Sequence, residues 1–458
     1  MTHTNGARRQ TPPISAAGRR PIRSLAGLAL PLALLAGCAA PATTPVAGKE
    51  GTVRAENASM RTVGLDDAGA LDAVVAATGA LGLTVLGAAP DEGNAVVSPA
   101  SLATALAMLG EGARGESLDE LERALGASGE ERRDAFAALQ RSVLELDGDP
   151  FDATADELPE RPILHLANNV VVHNGEGFEV LPEYLAALAD GFDAGVQYAD
   201  LTSDAGKAVL SEWVNEHTGG LIEESAIRTH ADLRVVLQDA ILFAARWQTP
   251  FDAGSSYRRP FTLPSGERVE VDTMHASGGE GGVFAHAELG GGWVAVRLPY
   301  QEGAHSDLLL PPKGTDPAAA TPALLAEAAE QLDAAKPVPL ALSLPKIDIE
   351  AETPLDLIES GALEQAGVSA VVCGSGRSDL SGIAGGSTRL CLDQAVQQAV
   401  LRVDEAGTVA AAATEVGIST FSAQAAPAAV HFDRPFLLTI THSESGWPLF
   451  QAAIRDPR

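Results

Sequence analysis

The chain has 458 residues, 46% of them hydrophobic, and 31 Lys plus Arg against 61 Asp plus Glu give a formal net charge of −30. The apolar share rules out wholesale disorder, and the acid excess argues against sequence-independent nucleic-acid binding and adsorption to anionic lipid, which need Lys and Arg. Three Cys are too few for a disulfide scaffold, and at ~150 residues per domain the length allows two or three domains or one large mixed one.

Arg8, Arg9, Arg19, Arg20 and Arg23 precede an apolar run from Leu25 to Ala36. That run is too short to span a ~30 Å hydrocarbon core as a helix, so the pair of segments reads as an export signal. It ends in Leu35-Ala36-Gly37-Cys38, which resembles the bacterial lipoprotein box. The resemblance implies cleavage after residue 37, acylation of Cys38, and a protein lipid-anchored on the outer face of the bacterial cytoplasmic membrane or cell envelope. Arg19-Arg20 leaves both the general and the twin-arginine export routes open. The signal takes five of the 31 basic residues with it and no acid. Residues 38–66 are rich in Ala, Pro, Thr and Gly without apolar periodicity, and are expected to form a flexible tether reaching about 30 Å.

Residues 67–458 form the expected body, with no linker or internal repeat. Leu71 to Leu86 has helical spacing. Ala95 to Val97 is a short strand stopped by Ser98-Pro99, and helices follow over Ser101–Leu109 and Ser117–Leu125. Asp147–Pro162, acidic and Pro-rich, reads as a loop. Ile163–His173 alternates as a strand does, and Leu181–Leu188 and Ala208–His217 look helical. Val235–Ala245 is nearly continuously apolar, the pattern of a strand buried on both faces. The C-terminal third reads mostly as strands, with a helix near Leu355–Gln365. Helices and strands mix without regular βαβ alternation, so the fold class is α+β.

Gly110-Glu111-Gly112-Ala113-Arg114-Gly115 matches a dinucleotide fingerprint but follows an apolar helix instead of a strand, and helix termination at Gly explains it. The ten His are scattered without ligand spacing. No metal, no cofactor and no hydrolase nucleophile is expected, and an enzyme is not.

Residues 403–421 carry the functional signal. A run of four Ala after Gly407-Thr408-Val409 favours helix, but an acidic turn and a Ser/Thr-rich stretch flank it. At period 2, Thr408, Ala410, Ala412, Thr414, Val416, Ile418 and Thr420 are all small or β-branched and uncharged. The other set, Val409, Ala411, Ala413, Glu415, Gly417, Ser419 and Phe421, holds the only charge. The segment can therefore enter a sheet with one face buried and Glu415 outward. A segment able to be loop, helix or strand suggests a conformational switch.

These residues resemble the hinge and reactive-centre loop of serpins, and the resemblance runs collinearly through roughly residues 67–458. Asn94 to Ser101 with Ala107-Met108-Leu109 is similar to the family's shutter strand and following helix. Ala167-Asn168 with Val170, Leu181-Pro182 with Tyr184, Trp213-Val214-Asn215 with Thr218-Gly219, and Phe243 with Trp247 and Pro250-Phe251 follow in order. Leu298-Pro299-Tyr300, Leu344-Pro345-Lys346, Asp379 to Ile383 and Arg434-Pro435-Phe436 complete the series.

The resemblance implies one serpin domain with three β-sheets, eight or nine helices and an exposed loop. It implies a suicide-substrate inhibitor of chymotrypsin-like or subtilisin-like serine proteases. Such an inhibitor is a monomer that traps its target in a covalent complex as the cleaved loop inserts into the main sheet. The alternative is a non-inhibitory binding or substrate-like serpin. The hinge maps to Glu405 and Gly407, Thr408, Val409, Ala410, Ala411, Ala412, Ala413 and Thr414. The family's hinge-to-bond spacing, counted from Gly407, implies a scissile bond between Phe421 and Ser422; a slip of one residue would put Thr420 before the cut. Glu405, Lys346 and Trp247 match the breach where the loop enters the sheet. Ser98 and Ser101 match the shutter, but Asp239 and Gln397 replace the family's usual Asn and His, so a rewired bond between them is expected. Cys373 and Cys391, both outside the cytoplasm, are permitted but not required to bridge.

Overall fold

The computed structural model describes residues 51–55, 59–90, 93–155, 157–175, 178–277, 282–349, 354–385, 389–408 and 428–458. Cys38, the hinge residues Val409 to Thr414, and Phe421 and Ser422 lie outside the described residues.

One sheet has seven strands among the described residues. Its strands are β1 (Gly51–Val53), β2 (Ile163–His173), β3 (Val196–Ala199), β4 (Val235–Arg246), β5 (Ile347–Ile349), β6 (Leu401–Val403) and β7 (Gly407–Thr408). Their order across the sheet is β1-β3-β2-β4-β7-β6-β5. β2 and β4 pair antiparallel from Ile163↔Ala244 to Val172↔Val235. A second, longer sheet runs from Ala95–Val97 through Pro448–Ile454 and Phe436–His442 to Tyr257–Thr262, and Ala428–His431 joins it in parallel beside Val338–Pro345. Every residue of Pro448–Ile454 is buried. Two further two-stranded pairings, Leu355–Asp356 with Val396–Gln397 and Glu179–Val180 with Ala384–Gly385, complete the sheets among the described residues.

Two helices sandwich the seven-stranded sheet. α1 (Pro99–Gly112) starts on Ser98, whose side chain accepts from Ser101 N–H, with Pro99 suited to the first turn. α1 is buried along almost its whole length. α2 (Asp204–His217) starts on Ser203, which accepts from Gly206 N–H, and Gln238 Nε2 on β4 donates to its Leu210 carbonyl (3.0 Å). Of the fingerprint-like glycines, Gly112 ends α1 where a Cβ would fall 2.1 Å from Ile383.

Several elements differ from the sequence expectation for identifiable reasons. The body begins before residue 67. Gly51–Val53 pairs with Val196–Tyr198, and Arg61 donates to Asp190 and, at 2.9 and 2.6 Å, to Glu130 and Asp134. The expected tether is therefore part of the body from Gly51 to Val53 and at Arg61. The helix expected near Leu355–Gln365 shrinks to Ala362–Gln365. There Asp356 Oδ1 accepts from Ile358 and Glu359 N–H, closing a turn, and Gly361 sits at φ +75°. The Asp147–Pro162 stretch holds one helical turn, Pro150–Ala153, capped by Asp149. Helices Gly129–Val143 and Pro322–Ala334 had no counterpart in the sequence reading. β4 is fully buried from Leu242 to Ala245, but Val235, Leu237, Asp239 and Ile241 are only half-buried. Those four residues line a cavity between β4 and the Gln394–Leu401 segment.

Candidate functional site at the mouth of the large sheet

The described residues of β7, Gly407 and Thr408, lie between β4 and β6 at one end of the sheet. Gly407 faces Arg246 and Thr408 faces Ala245 on one side, and Thr408 faces Val403 on the other. A turn on Asp404 leads into it: Asp404 Oδ1 accepts from Ala406 N–H (2.8 Å) and Gly407 N–H (3.1 Å), and Asp404 N–H donates to Gly407 O (3.0 Å). Burial pushes the Asp404 carboxyl above the usual carboxylate range, against the pull of those two N–H groups. Only glycine fits at 407, because a Cβ there would lie 2.0 Å from the Ala245 carbonyl oxygen.

Trp247 closes this end. Its indole Nε1–H donates to Asp404 O, and its main-chain N–H donates to Ala406 O, both at 2.9 Å. Its ring stacks on Tyr300 at 4.4 Å, and Tyr300 meets Phe243 edge-on at 4.9 Å. The Tyr300 hydroxyl shares a 2.5 Å hydrogen bond with Thr408 Oγ1. Burial raises the Tyr300 phenol well above its ordinary value, so it stays neutral. Lys346 Nζ lies 2.8 Å from Glu405 Oε2, and Phe251 N–H donates to the Glu405 carbonyl. Burial is the largest influence on the Glu405 carboxyl and works to raise it, but the bond and charge of Lys346, together with Ser256 and the residue's own main chain, hold the group below its usual range. The residues singled out for the breach thus meet in one cluster. Tyr300 and Asp404 are its unforeseen members. Tyr300 stood in the Leu298-Pro299-Tyr300 match, but nothing in the sequence tied it to Thr408.

Below Thr408, among the described residues, no strand pairs with the edge of β4 that faces β6. A cavity of about 440 Å³ lies there, lined by Ser98, Ser101, Asp239 and Gln397 among others. The four shutter residues are therefore together, but the expected bond between Asp239 and Gln397 is replaced by others. Gln397 Nε2 donates to Ser98 O (2.8 Å), and Ser101 Oγ donates to the main-chain oxygen of Asp239 (3.4 Å). The cause is reach: Gln397 pairs with Leu355 outside the main sheet, where its amide meets the helix-capping turn at Ser98 first. Both Asp239 carboxylate oxygens and Gln397 Oε1 are buried without a hydrogen-bond partner. Burial pushes the Asp239 carboxyl well above the usual carboxylate range. Cys373 and Cys391 are joined in a disulfide beside the same cavity. No group of His, Cys, Asp or Glu suited to a metal occurs among the described residues.

The family model for serpins, described as serine protease inhibitors, matches residues 78–457. The chain is 29% identical over 389 residues to Iripin-8 of Ixodes ricinus, covering 82% of this chain and 91% of that protein. It is 30% identical over 371 residues to alpha-1-antitrypsin 1-5 of Mus musculus, covering 80% and 83%. Among solved structures it is similar to the thermophilic serpin tengpin in the native state, with a TM-score of 0.71 at 21% identity, covering 88% of this chain and 97% of that one. It is also similar to thyroxine-binding globulin in complex with thyroxine, with a TM-score of 0.67 at 21% identity, covering 85% and 98%.

Proposed function

The chain belongs to the serpin family, and from that premise we propose that it is a suicide-substrate inhibitor of chymotrypsin-like or subtilisin-like serine proteases, cleaved between Phe421 and Ser422. Membership supports serine protease inhibition in general; the target class and the trapping step are this reading's own.

The observation that carries it is the register of β7. Gly407↔Arg246 and Thr408↔Ala245 on one side, and Val403↔Thr408 on the other, fix how a longer strand would continue. Extended antiparallel, the chain after Thr408 would set Ala410 opposite Phe243, Ala412 opposite Ile241, and Thr414 opposite Asp239. Counted from β6, Thr414 also falls opposite Gln397. Two independent registers therefore bring the same hydroxyl residue to the two side chains whose oxygens lack partners. The small residues of the hinge meet the large ones of β4, which lets the inserted face pack without clash. A hydroxyl both donates and accepts, so Thr414 suits a carboxyl on one side and an amide on the other.

Inserted along β4, the loop would carry an acylated protease about 40 Å at ~3.3 Å per residue. New ladder bonds, each worth a net ~0.5–1.5 kcal/mol, supply a large driving force when summed over the strand. Small side chains at Thr408, Ala410 and Ala412 support insertion, and Val409 falls on the outward set. The large aromatic Phe421 suits a deep apolar specificity pocket.

The same reading places the protein outside the cytoplasm, anchored through Cys38. The disulfide between Cys373 and Cys391 suits an oxidising compartment. Gly51 pairs with Tyr198, which faces Val172 and through it Val235, at the far end of β4 from Gly407. The chain thus enters the described body at the end of the sheet opposite the mouth.

Mixing the full chain with chymotrypsin or subtilisin tests the proposal. An SDS-resistant complex is expected, with a released fragment whose mass begins at Ser422. Clean cleavage without a complex would instead make the protein a substrate-like or binding serpin.

A further inference from the structure

The cavity beneath the unpaired edge of β4 has a chemistry of its own. Its volume is about 440 Å³, within the range of small-molecule sites. Leu102, Leu106 and Phe243 give it apolar walls. Its polar part is one-sided: Asp239 Oδ1 and Oδ2 and Gln397 Oε1 are buried acceptors without a partner. Few donors are near: Gln397 Nε2 is spent on Ser98 O, and the Ser101 hydroxyl, 3.4 Å from the Asp239 main-chain oxygen, is the one that also acts on the Asp239 carboxyl. The lining holds three basic groups, and each has an acid or a carbonyl of its own: Arg234 donates to the carbonyls of Ala231 and Leu233, His230 pairs with Asp393, and Arg389 acts on the Asp379 carboxylate. Arg234 is five residues along β4 from Asp239, roughly 16 Å at ~3.3 Å per residue.

We infer that this cavity is a binding site for a small primary ammonium ion, its three N–H donors directed to Asp239 and Gln397 and its alkyl part against Leu102, Leu106 and Phe243. An ammonium carries three donors and no acceptor, the complement of three orphaned oxygens. An ammonium would replace mobile solvent with three fixed donors and a full positive charge beside the carboxyl. A cation also removes the penalty on ionising Asp239, so the carboxyl releases its proton as the ligand enters. A neutral isostere of the same shape offers the apolar contact but only one donor and no charge.

The site rests on the cavity alone. A consequence rests on the serpin reading: an occupied cavity holds the place where Thr414 would insert, so the ligand slows trapping and diverts the protein toward plain cleavage.

Isothermal titration of the full chain with n-pentylammonium chloride, against 1-pentanol as the neutral isostere, tests the site. The ammonium should bind at least tenfold more tightly than the alcohol, and Asp239→Asn should erase that preference while circular dichroism shows the fold retained. Equal binding of the two probes by the unaltered chain, or an undiminished preference in Asp239→Asn, would overturn the inference. The unaltered chain decides the matter even if the variant does not fold. In a second arm, saturating pentylammonium should lower the yield of SDS-resistant complex at least severalfold with chymotrypsin; an unchanged yield alongside tight binding would overturn the blocking role and leave the site. Failure of the protein to form any complex without the probe would count against the inhibitor reading, not against the site.

Discussion

The two ends of the space between β4 and β6 are built on opposite rules. At the mouth, Trp247, Tyr300, Thr408, Asp404, Glu405 and Lys346 bond to one another or to the main chain, and Gly407 lies flat against Ala245. Some 20 Å further along, at ~3.3 Å per residue, three buried oxygens of Asp239 and Gln397 accept no hydrogen bond from the sheet on either side. The satisfied end fixes a starting register, and the unsatisfied middle leaves free energy to be gained by whatever fills it. At Gly407 and Thr408, β7 already pairs with β4 and β6 in the register that a longer strand would continue.

The contrast can be broken or sharpened by substitution. Trp247→Ala removes a buried ring, its stack on Tyr300 and the indole's bond to the Asp404 carbonyl, and should cost about 3–5 kcal/mol in urea unfolding. A loss under about 1 kcal/mol, on the same scale, would deny the mouth its role. Asp239→Asn should act in the opposite sense, stabilising the native state by about 1–3 kcal/mol at neutral pH. The sign follows from the raised carboxyl. Folding favours its protonated form, so the native state loses stability as pH climbs from the unfolded value toward the folded one. Melting temperatures of the two proteins should therefore converge at acid pH and diverge as pH rises; parallel curves would mean that Asp239 is solvated. Tyr300→Phe deletes only the hydroxyl bonded to Thr408 and should cost about 1 kcal/mol. The measured effect should vanish in a Thr408→Val background, a double-mutant cycle that reads the bond itself.

Lys346→Met is the smallest effect, about 0–1 kcal/mol, because the lysine is well exposed. Glu405 has a depressed carboxyl in the folded state, so its contribution is present above the unfolded value and lost as pH falls through the folded one. The difference between Lys346→Met and the unaltered chain should fade below about pH 4.5, the ordinary Glu range.

Much of this was legible in the sequence, because the signals were either periodic or local. Ile163–His173 and Val235–Ala245 announced the central strands, and Ser98-Pro99 announced the start of α1. Collinear motifs brought Glu405, Lys346, Trp247, Ser98, Ser101, Asp239 and Gln397 to two places, and the fold puts them there. What was illegible depended on partners distant in sequence. Arg61, inside what composition called a tether, is held by carboxylates at residues 130, 134 and 190. Tyr300 finds Thr408 across 108 residues. Gln397 bonds to Ser98 O instead of Asp239 because a short pairing with Leu355 sets its reach, and no donor–acceptor rule on residue types could show that.

The central claim is that a loop beginning at β7 completes the sheet along β4 once it is cleaved. Amide hydrogen exchange of residues 235–244, compared before and after limited chymotrypsin cleavage of the full chain, tests it most directly. The amides of β4 that face β6 should slow by orders of magnitude after cleavage, as a new strand pairs with them. Exchange rates that stay the same in the cleaved protein would contradict the claim.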